Sequence, residues 1–339
     1  MRLHRRESQL DHEEPLQCEE LATGKRNAAV LKIGRDGIRT RVYRFDEFLH
    51  IKKQEFMYLR TEKNEFVTLR GNLTSSSGET SRFAPTPMST YCQEIHSSCA
   101  IVGASRWEET DRVYAMMFSL KNCDRIFDNE SLLQRVVAAK LGEPDPGDLC
   151  RVDGGSCEVR IRYARQHVFM RGITTDIQPR FFLKLREPKP LSTAYNVMMD
   201  LVEFVSFVAG RTMQPEEIVL WRGDHEAARD DEFHSGPFQC HWLWPKEELE
   251  QESSAGYAAC FSAWDDDDLK SLREAIGVWM RRASTWHDAN QMMMAALQNR
   301  RSISPDRLIM LANGSRRHLA LSFAVSLVAS ISRRFAMLR

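Results

Sequence analysis

The chain has 339 residues, room for two domains or for one large domain with an appendage. Its 47 basic and 47 acidic side chains cancel, which excludes a global field drawing the whole chain to nucleic acid or an anionic membrane and leaves only local patches. No apolar run follows the early arginines Arg2, Arg5 and Arg6, so no secretory leader is expected. Eight cysteines without a Cys-x2-Cys pair read as reduced thiols in a cytoplasm.

Residues 1–25 are charged and aperiodic and are expected to form a flexible lead-in. From Ala28 the texture is that of strands: Ala28–Ile33, the turn residues Gly34-Arg35-Asp36-Gly37, then Ile38–Phe45. Further strands are expected at Phe66–Leu73, Ile101–Gly103, Val113–Leu120, Cys157–Tyr163, His167–Ile173 and Phe181–Leu185, eight in all. One helix interrupts them, Glu130–Leu141, with Leu132, Leu133, Val136, Val137 and Leu141 at helical spacing and Gly142 as its stop. Many short strands with polar turns favour an antiparallel, sandwich-like arrangement over a doubly wound parallel sheet.

Phe181–Leu220 reads as strand, proline break, helix and strand. The helix, Ser192–Ala209, is polar only at Asn196, Asp200, Glu203 and Ser206, whose spacings of four, three and three fall on one face. A helix so apolar elsewhere is surrounded by protein. The stripe breaks the run well short of the roughly 20 apolar residues of a membrane span. The expectation is a buried central helix with the four polar residues as its solvent edge. From Leu269 the chain is helical again, with Leu272, Ala275, Ile276 and Trp279 on one face. The apolar end, Leu319–Ile331, is only 13 residues and holds three serines.

Five groups invite a chemical reading. Asp224, His225, Asp230, Asp231, Glu232, His234, Cys240 and His241 are metal-like in type, but no established ligand spacing links them, and a solvated loop before an aromatic strand accounts for them. Asp265–Asp268 suit the positive end of a helix better than a divalent cation. Met292–Met294 suit core packing. Arg282 and His287 have the spacing of a metal-free ribonuclease, histidine handling the 2′-hydroxyl proton and arginine steadying phosphate. With ten histidines among many arginines, chance supplies about one such match, and Ser284-Thr285 weakens a continuous helix between them. Arg160, Arg162, Arg165 and Arg171, with His167 and Phe169 near, make a basic strand face able to touch nucleic acid. There is no phosphate loop, dinucleotide turn or nucleophile elbow, so no cofactor, metal or catalytic residue is assigned.

Phe66–Thr74, the strands after it and Phe181–Leu220 together resemble the N-terminal domain of ApeA-like proteins, with Ile303–Leu308 similar to that family's lead into its helical part. The resemblance covers roughly residues 60–310. It implies a bacterial anti-phage defence protein in which a β-rich N-terminal domain precedes a helical HEPN domain carrying an Arg-x4–6-His ribonuclease motif. No such motif occurs after Arg300: only His318 lies there, and Leu311, Ala312 and Asn313 occupy the required positions. The expected organisation is α+β: a lead-in at 1–25, a β-rich domain at 26–262 with its buried helix, and a helical region at 263–339 that is the truncated or frameshifted start of a HEPN-type domain. The function implied is the sensor or regulatory part of an abortive-infection system, without a catalytic domain of its own. Its partners would be a phage-derived trigger, RNA and further copies of the chain, with no membrane. The alternatives are a ribonuclease using Arg282 and His287, and an unrelated β-rich binding module.

Overall fold

The computed structural model describes residues 15–21, 26–34, 37–45, 56–77, 90–120, 123, 150–167, 175–209, 212–223, 237–243 and 266–298. In chain order the strands are β1 (Leu16–Glu20), β2 (Asn27–Gly34), β3 (Gly37–Phe45), β4 (Phe56–Thr61), β5 (Phe66–Arg70), β6 (Leu73–Ser77) and β7 (Thr90–Ser97). Then come β8 (Cys99–Gly103), β9 (Val113–Leu120), β10 (Cys150–Asp153), β11 (Cys157–His167) and β12 (Thr175–Lys189). Helix α1 (Leu191–Ala209), β13 (Pro215–Arg222), β14 (Phe238–Trp242) and α2 (Asp266–Gln298) complete the set. The fold is β-rich α+β. The expected helix at Glu130–Leu141, most of the expected strand His167–Ile173 and the whole of 299–339 lie outside the described residues.

The chain divides into two units. The first holds the described residues up to Asp111, with Glu217–Gly223 and 237–243. Its strand order is β13-β14-β8-β5-β4-β1-β2-β3-β7-β6, and neighbours pair antiparallel. Inward residues at every second position, among them Leu31, Val42, Leu59, Val67, Leu69 and Ile95, interlock into one core. On β4 and β5 the outward positions carry a different cement. The Arg60 guanidinium lies 5.7 Å from the Phe66 ring, that of Arg70 5.6 Å from Phe56, and that of Arg106 5.3 Å from Tyr58, each combining ring contact with a solvated charge.

Strands β1, β4, β7 and β10 lie where none was expected. Leu16–Glu20, inside the anticipated lead-in, pairs with both β2 and β4. Its alternation is hidden because a glutamate takes a core position: Glu20 is fully buried and accepts the Asn27 Nδ2–H at 2.9 Å. Strand β4 alternates Met57 and Leu59 inward with Tyr58 and Arg60 outward. It turns into β5 through Asn64, which takes a positive φ of 63° that asparagine tolerates.

The second unit holds the described residues from Arg112 to Glu216, with α2. Its antiparallel strands run β10-β11-β12-β9. One face is apolar: Val152, Val159, Ile161, Phe181, Leu183 and Met116 are buried, and Phe118 stacks on Phe181 at 5.5 Å. Helix α1 begins as anticipated after Pro190, whose carbonyl accepts the Ala194 N–H at 2.9 Å. Helix α2 starts at Asp266, with Asp267 and Asp268 in its first turn favoured by the positive end of the helix. It runs 33 residues without a break, through an exposed Ser284 and Thr285, so these residues do not interrupt it. A Cβ on Gly277 would sit 3.1 Å from Val152 Cγ1, so α2 packs closely on β10 there. Trp279 is the hub, 5.6 Å from Phe204, 6.1 Å from Phe207 and 6.0 Å from Trp286 between ring centres. Among the described residues no helix is long and apolar enough to cross a membrane.

Gly103 provides a test of the first unit's packing. A methyl there would meet the Phe238 ring at 2.3 Å, and that ring is held edge-on to the buried Trp107 and beneath the Arg222 guanidinium. Gly103→Ala is expected to cost about 1–3 kcal/mol, measured as a lower urea midpoint at unchanged slope. A variant as stable as the parent would show that Phe238 relaxes freely.

Candidate functional site

The face of the second unit's sheet opposite its apolar core is charged. Strand pairing sets Arg151 beside Arg160, Asp153 beside Glu158, Glu158 beside Lys184, Arg160 beside Phe182 and Arg162 beside Arg180. Directly opposed residues share a face and successive residues alternate, so among the described side chains one surface carries the cations Arg151, Arg160, Arg162, Arg180, Lys184 and Arg186 against the acids Asp153 and Glu158. Among these strands lies an open groove of about 520 Å³, lined by Tyr114, Arg151, Arg160, Lys184, Arg186 and the two acids among others.

Each acid is outnumbered. Glu158 receives hydrogen bonds from Arg151 Nη2 at 2.8 Å and from Arg160 Nε. Partial burial pushes its carboxyl up, but the two guanidinium bonds and their charges outweigh that, and the net shift is downward. Asp153 accepts the Gly155 N–H at 2.9 Å and Arg186 Nη2 at 2.6 Å, and these two bonds hold it below the usual carboxylate range. The Arg160 and Arg162 guanidiniums lie 5.8 and 5.7 Å from the Phe182 ring centre, and Lys184 Nζ lies 5.4 Å from that of Tyr114. Guanidiniums supported on rings are hydrogen-bond donors suited to anions and to stacking, and of these Arg162 is exposed.

Of the anticipated basic face, Arg160 and Arg162 are brought together as expected. The side chains of Arg165 and His167, and the whole of Phe169 and Arg171, lie outside what the structure describes. The flanking strands supply the cations that sequence reasoning missed, Arg151 from β10 and Arg180, Lys184 and Arg186 from β12. The period-two run Arg180, Phe182, Lys184, Arg186 is the signal that could have found them.

A second polar constellation lies between the unit's two helices, and here the expected solvent edge is corrected. Asn196 alone of the four is exposed; Asp200 and Glu203 are half-buried and Ser206 is fully buried. Helix α2 lies across the stripe: Trp279 Nε1–H donates to the Asp200 carbonyl at 2.8 Å, and Gln291 Nε2 donates to Glu203 Oε1 at 3.2 Å. Ser206 Oγ–H donates to the Val202 carbonyl at 2.7 Å while its oxygen accepts the Met213 N–H at 3.0 Å, so the serine ties off the helix end. A polar stripe on one helix does not reveal whether water or a second helix will meet it.

Arg282 and His287 sit on α2 in this region. Five residues apart on a continuous helix, they are rotated by about 140° from each other. Arg282 lies over the Trp286 ring at 5.6 Å, whereas His287 is exposed and its charge acts on Asp200. Met292 and Met294 are half-buried. Of the metal-like group, Asp224, His225, Asp230, Asp231, Glu232 and His234 lie outside the described residues. Cys240 is buried with its Sγ 3.6 Å from that of Cys99, burial and that neighbour holding its thiol protonated, while His241 is half-buried on the same strand. Among the described residues no group of three or more His, Cys, Asp or Glu is placed to hold a metal.

Burial raises Asp200 to about 6, against the opposing pull of His287. Burial and the neighbouring Asp200 charge raise Glu203 to about 7, with a hydrogen bond from Asn290 opposing them. Both folded values exceed the unfolded ones, so the favourable contribution is complete below about pH 4 and is lost as pH rises through about 6 and then about 7.

Among known proteins, the sequence profile of the family described as ApeA N-terminal domain 1 matches residues 22–259. No curated protein and no solved structure matches.

The sign of the carboxylate effect is testable. Glu203→Gln is expected to raise the melting temperature at pH 8 by a few degrees and leave it nearly unchanged at pH 4, followed by circular dichroism. An equal shift at both pH values would point to altered packing instead of charge.

Proposed function

The chain belongs to the ApeA N-terminal domain 1 family, and on that premise we propose that it is the recognition and regulatory part of a cytoplasmic anti-phage defence protein. In this reading the chain detects a phage-derived product and controls a HEPN-type ribonuclease, whose activity ends the infected cell. The observation that carries it is the profile match, which spans most of the chain and supports a link to anti-phage defence through the family. Geometry supports a module that binds and does not itself react. Its most distinctive surface is a rigid sheet face of charged and aromatic side chains around an open groove, on strands that order their side chains firmly.

The ribonuclease reading for Arg282 and His287 rests on an exposed His287 beside a carboxylate, the setting in which an imidazole can accept and return a proton. Against it, the helix directs the two side chains apart. Kinetics separates the readings. If His287 is the base, His287→Ala lowers RNA cleavage by the purified chain by about 10²–10⁴-fold; cleavage that is unchanged excludes it.

The defence reading is tested in cells carrying the gene at its natural locus. The expected outcome is fewer plaques than in a deletion strain for at least one phage of a panel, and recovery of a phage protein on affinity capture of the full chain after infection. No protection against any phage, with no phage protein captured, would favour a β-rich binding module unrelated to defence.

A further inference from the structure

We propose that the basic groove formed by β10, β11 and β12 is a binding site for single-stranded RNA. The inference concerns a property separate from phage defence and stands or falls by itself.

Charge is the first argument. In a chain whose charges cancel overall, one sheet face gathers six cations against two acids among its described side chains. The excess is local and is held in place by strand register, not by flexible tails. The Arg151 and Arg186 side chains, which line the groove, are each 61% exposed, and Arg162 on the same sheet face is exposed, so these three cations meet solvent. Same-face neighbours recur about every 6.6 Å along a strand and about 4.8 Å across the sheet. That grid serves a polymer with one negative charge per monomer better than it serves a compact anion.

Chemistry then narrows the class. Arg160 and Arg162 rest on the Phe182 ring, and Lys184 rests on Tyr114. The rings brace the flat guanidiniums, whose outer faces can stack on unpaired bases. The two carboxylates would repel any acidic polymer if they met only its charges. Asp153 and Glu158 lie among the cations, however, where ribose 2′-hydroxyls can donate to them, as deoxyribose and an acidic peptide cannot. Their bonds to Arg151, Arg160 and Arg186 fix the acids within the groove. A groove of about 520 Å³ is too small to seat a duplex and suits a single strand with its bases splayed.

The test is fluorescence anisotropy of the full chain with a fluorescein-labelled oligouridylate across a potassium chloride series. Binding is expected to weaken with salt at a log–log slope of about −3, the value for about four neutralised phosphates on a single strand. Arg162→Glu with Lys184→Glu is expected to weaken binding by about tenfold or more and to flatten the slope. Arg162→Lys should keep most of the affinity. Arg41→Glu, on an exposed arginine of the first unit paired with Glu94, should change nothing. Should the double variant fail to fold by circular dichroism, Arg162→Gln at an exposed position gives the same readout. Absence of binding by the parent at low salt, or a double variant that binds as the parent does, overturns the proposal. Equal binding of the matching deoxyoligonucleotide, or equal competition by polyglutamate, overturns the assignment to RNA.

Discussion

From Cys157 to Ile161 on β11 and from Phe181 to Leu185 on β12 every second side chain is apolar and buried, and that two-residue period is the constraint on which the second unit rests. Val159, Ile161, Phe181 and Leu183 turn to the buried face, so Arg160, Arg162, Phe182 and Lys184 must turn to the other. A slip of one residue would bury the three cations Arg160, Arg162 and Lys184 and expose the core, a cost no local rearrangement could offset. The basic face is therefore as firmly specified as the core behind it. The groove's charges lie where packing puts them, and packing in turn is fixed by the helices that need the apolar side.

The helix pair shows a different balance. Helix α2 covers a polar stripe on α1 because Trp279 brings a large apolar contact and one indole hydrogen bond. The stripe's carboxylates are taken part-way out of water as a result, and Gln291 and Asn290 answer only some of their needs. Aromatic burial decides the packing, and the acids adapt by holding their protons more tightly. Such a seam is well ordered yet sensitive to proton concentration near neutrality, in contrast to the first unit's core, where burial pushes the Cys18 thiol up to about 12.

Much of this was legible in the chain itself. The helix Leu191–Ala209 between its proline break and Pro215–Arg222 followed from periodicity and punctuation, as did Val113–Leu120 and Asn27–Phe45. What escaped did so for stated reasons. Leu16–Glu20 looked like a charged lead-in because buried Glu20 breaks the apolar count while satisfying itself through Asn27. The solvent edge on α1 was misassigned because amphipathicity reports polarity and not the partner. The groove was half visible, through Arg160 and Arg162; its other cations come from strands whose register no local pattern predicts. That register is a long-range property, set by which hydrophobic faces find each other.

The length of α2 has a mechanical corollary. At 1.5 Å per residue, the 33-residue rod extends about 28 Å beyond Trp279 toward Gln298. Trp279 clamps it near the middle, through ring contacts and the Asp200 carbonyl. A clamp at mid-length makes the rod a lever: a tilt of about 10° at the tryptophan would carry the far end about 5 Å. Small adjustments in the seam, whether from protons on Asp200 and Glu203 or from strain in the sheet beneath, would thus be magnified at the end from which the chain continues beyond Gln298.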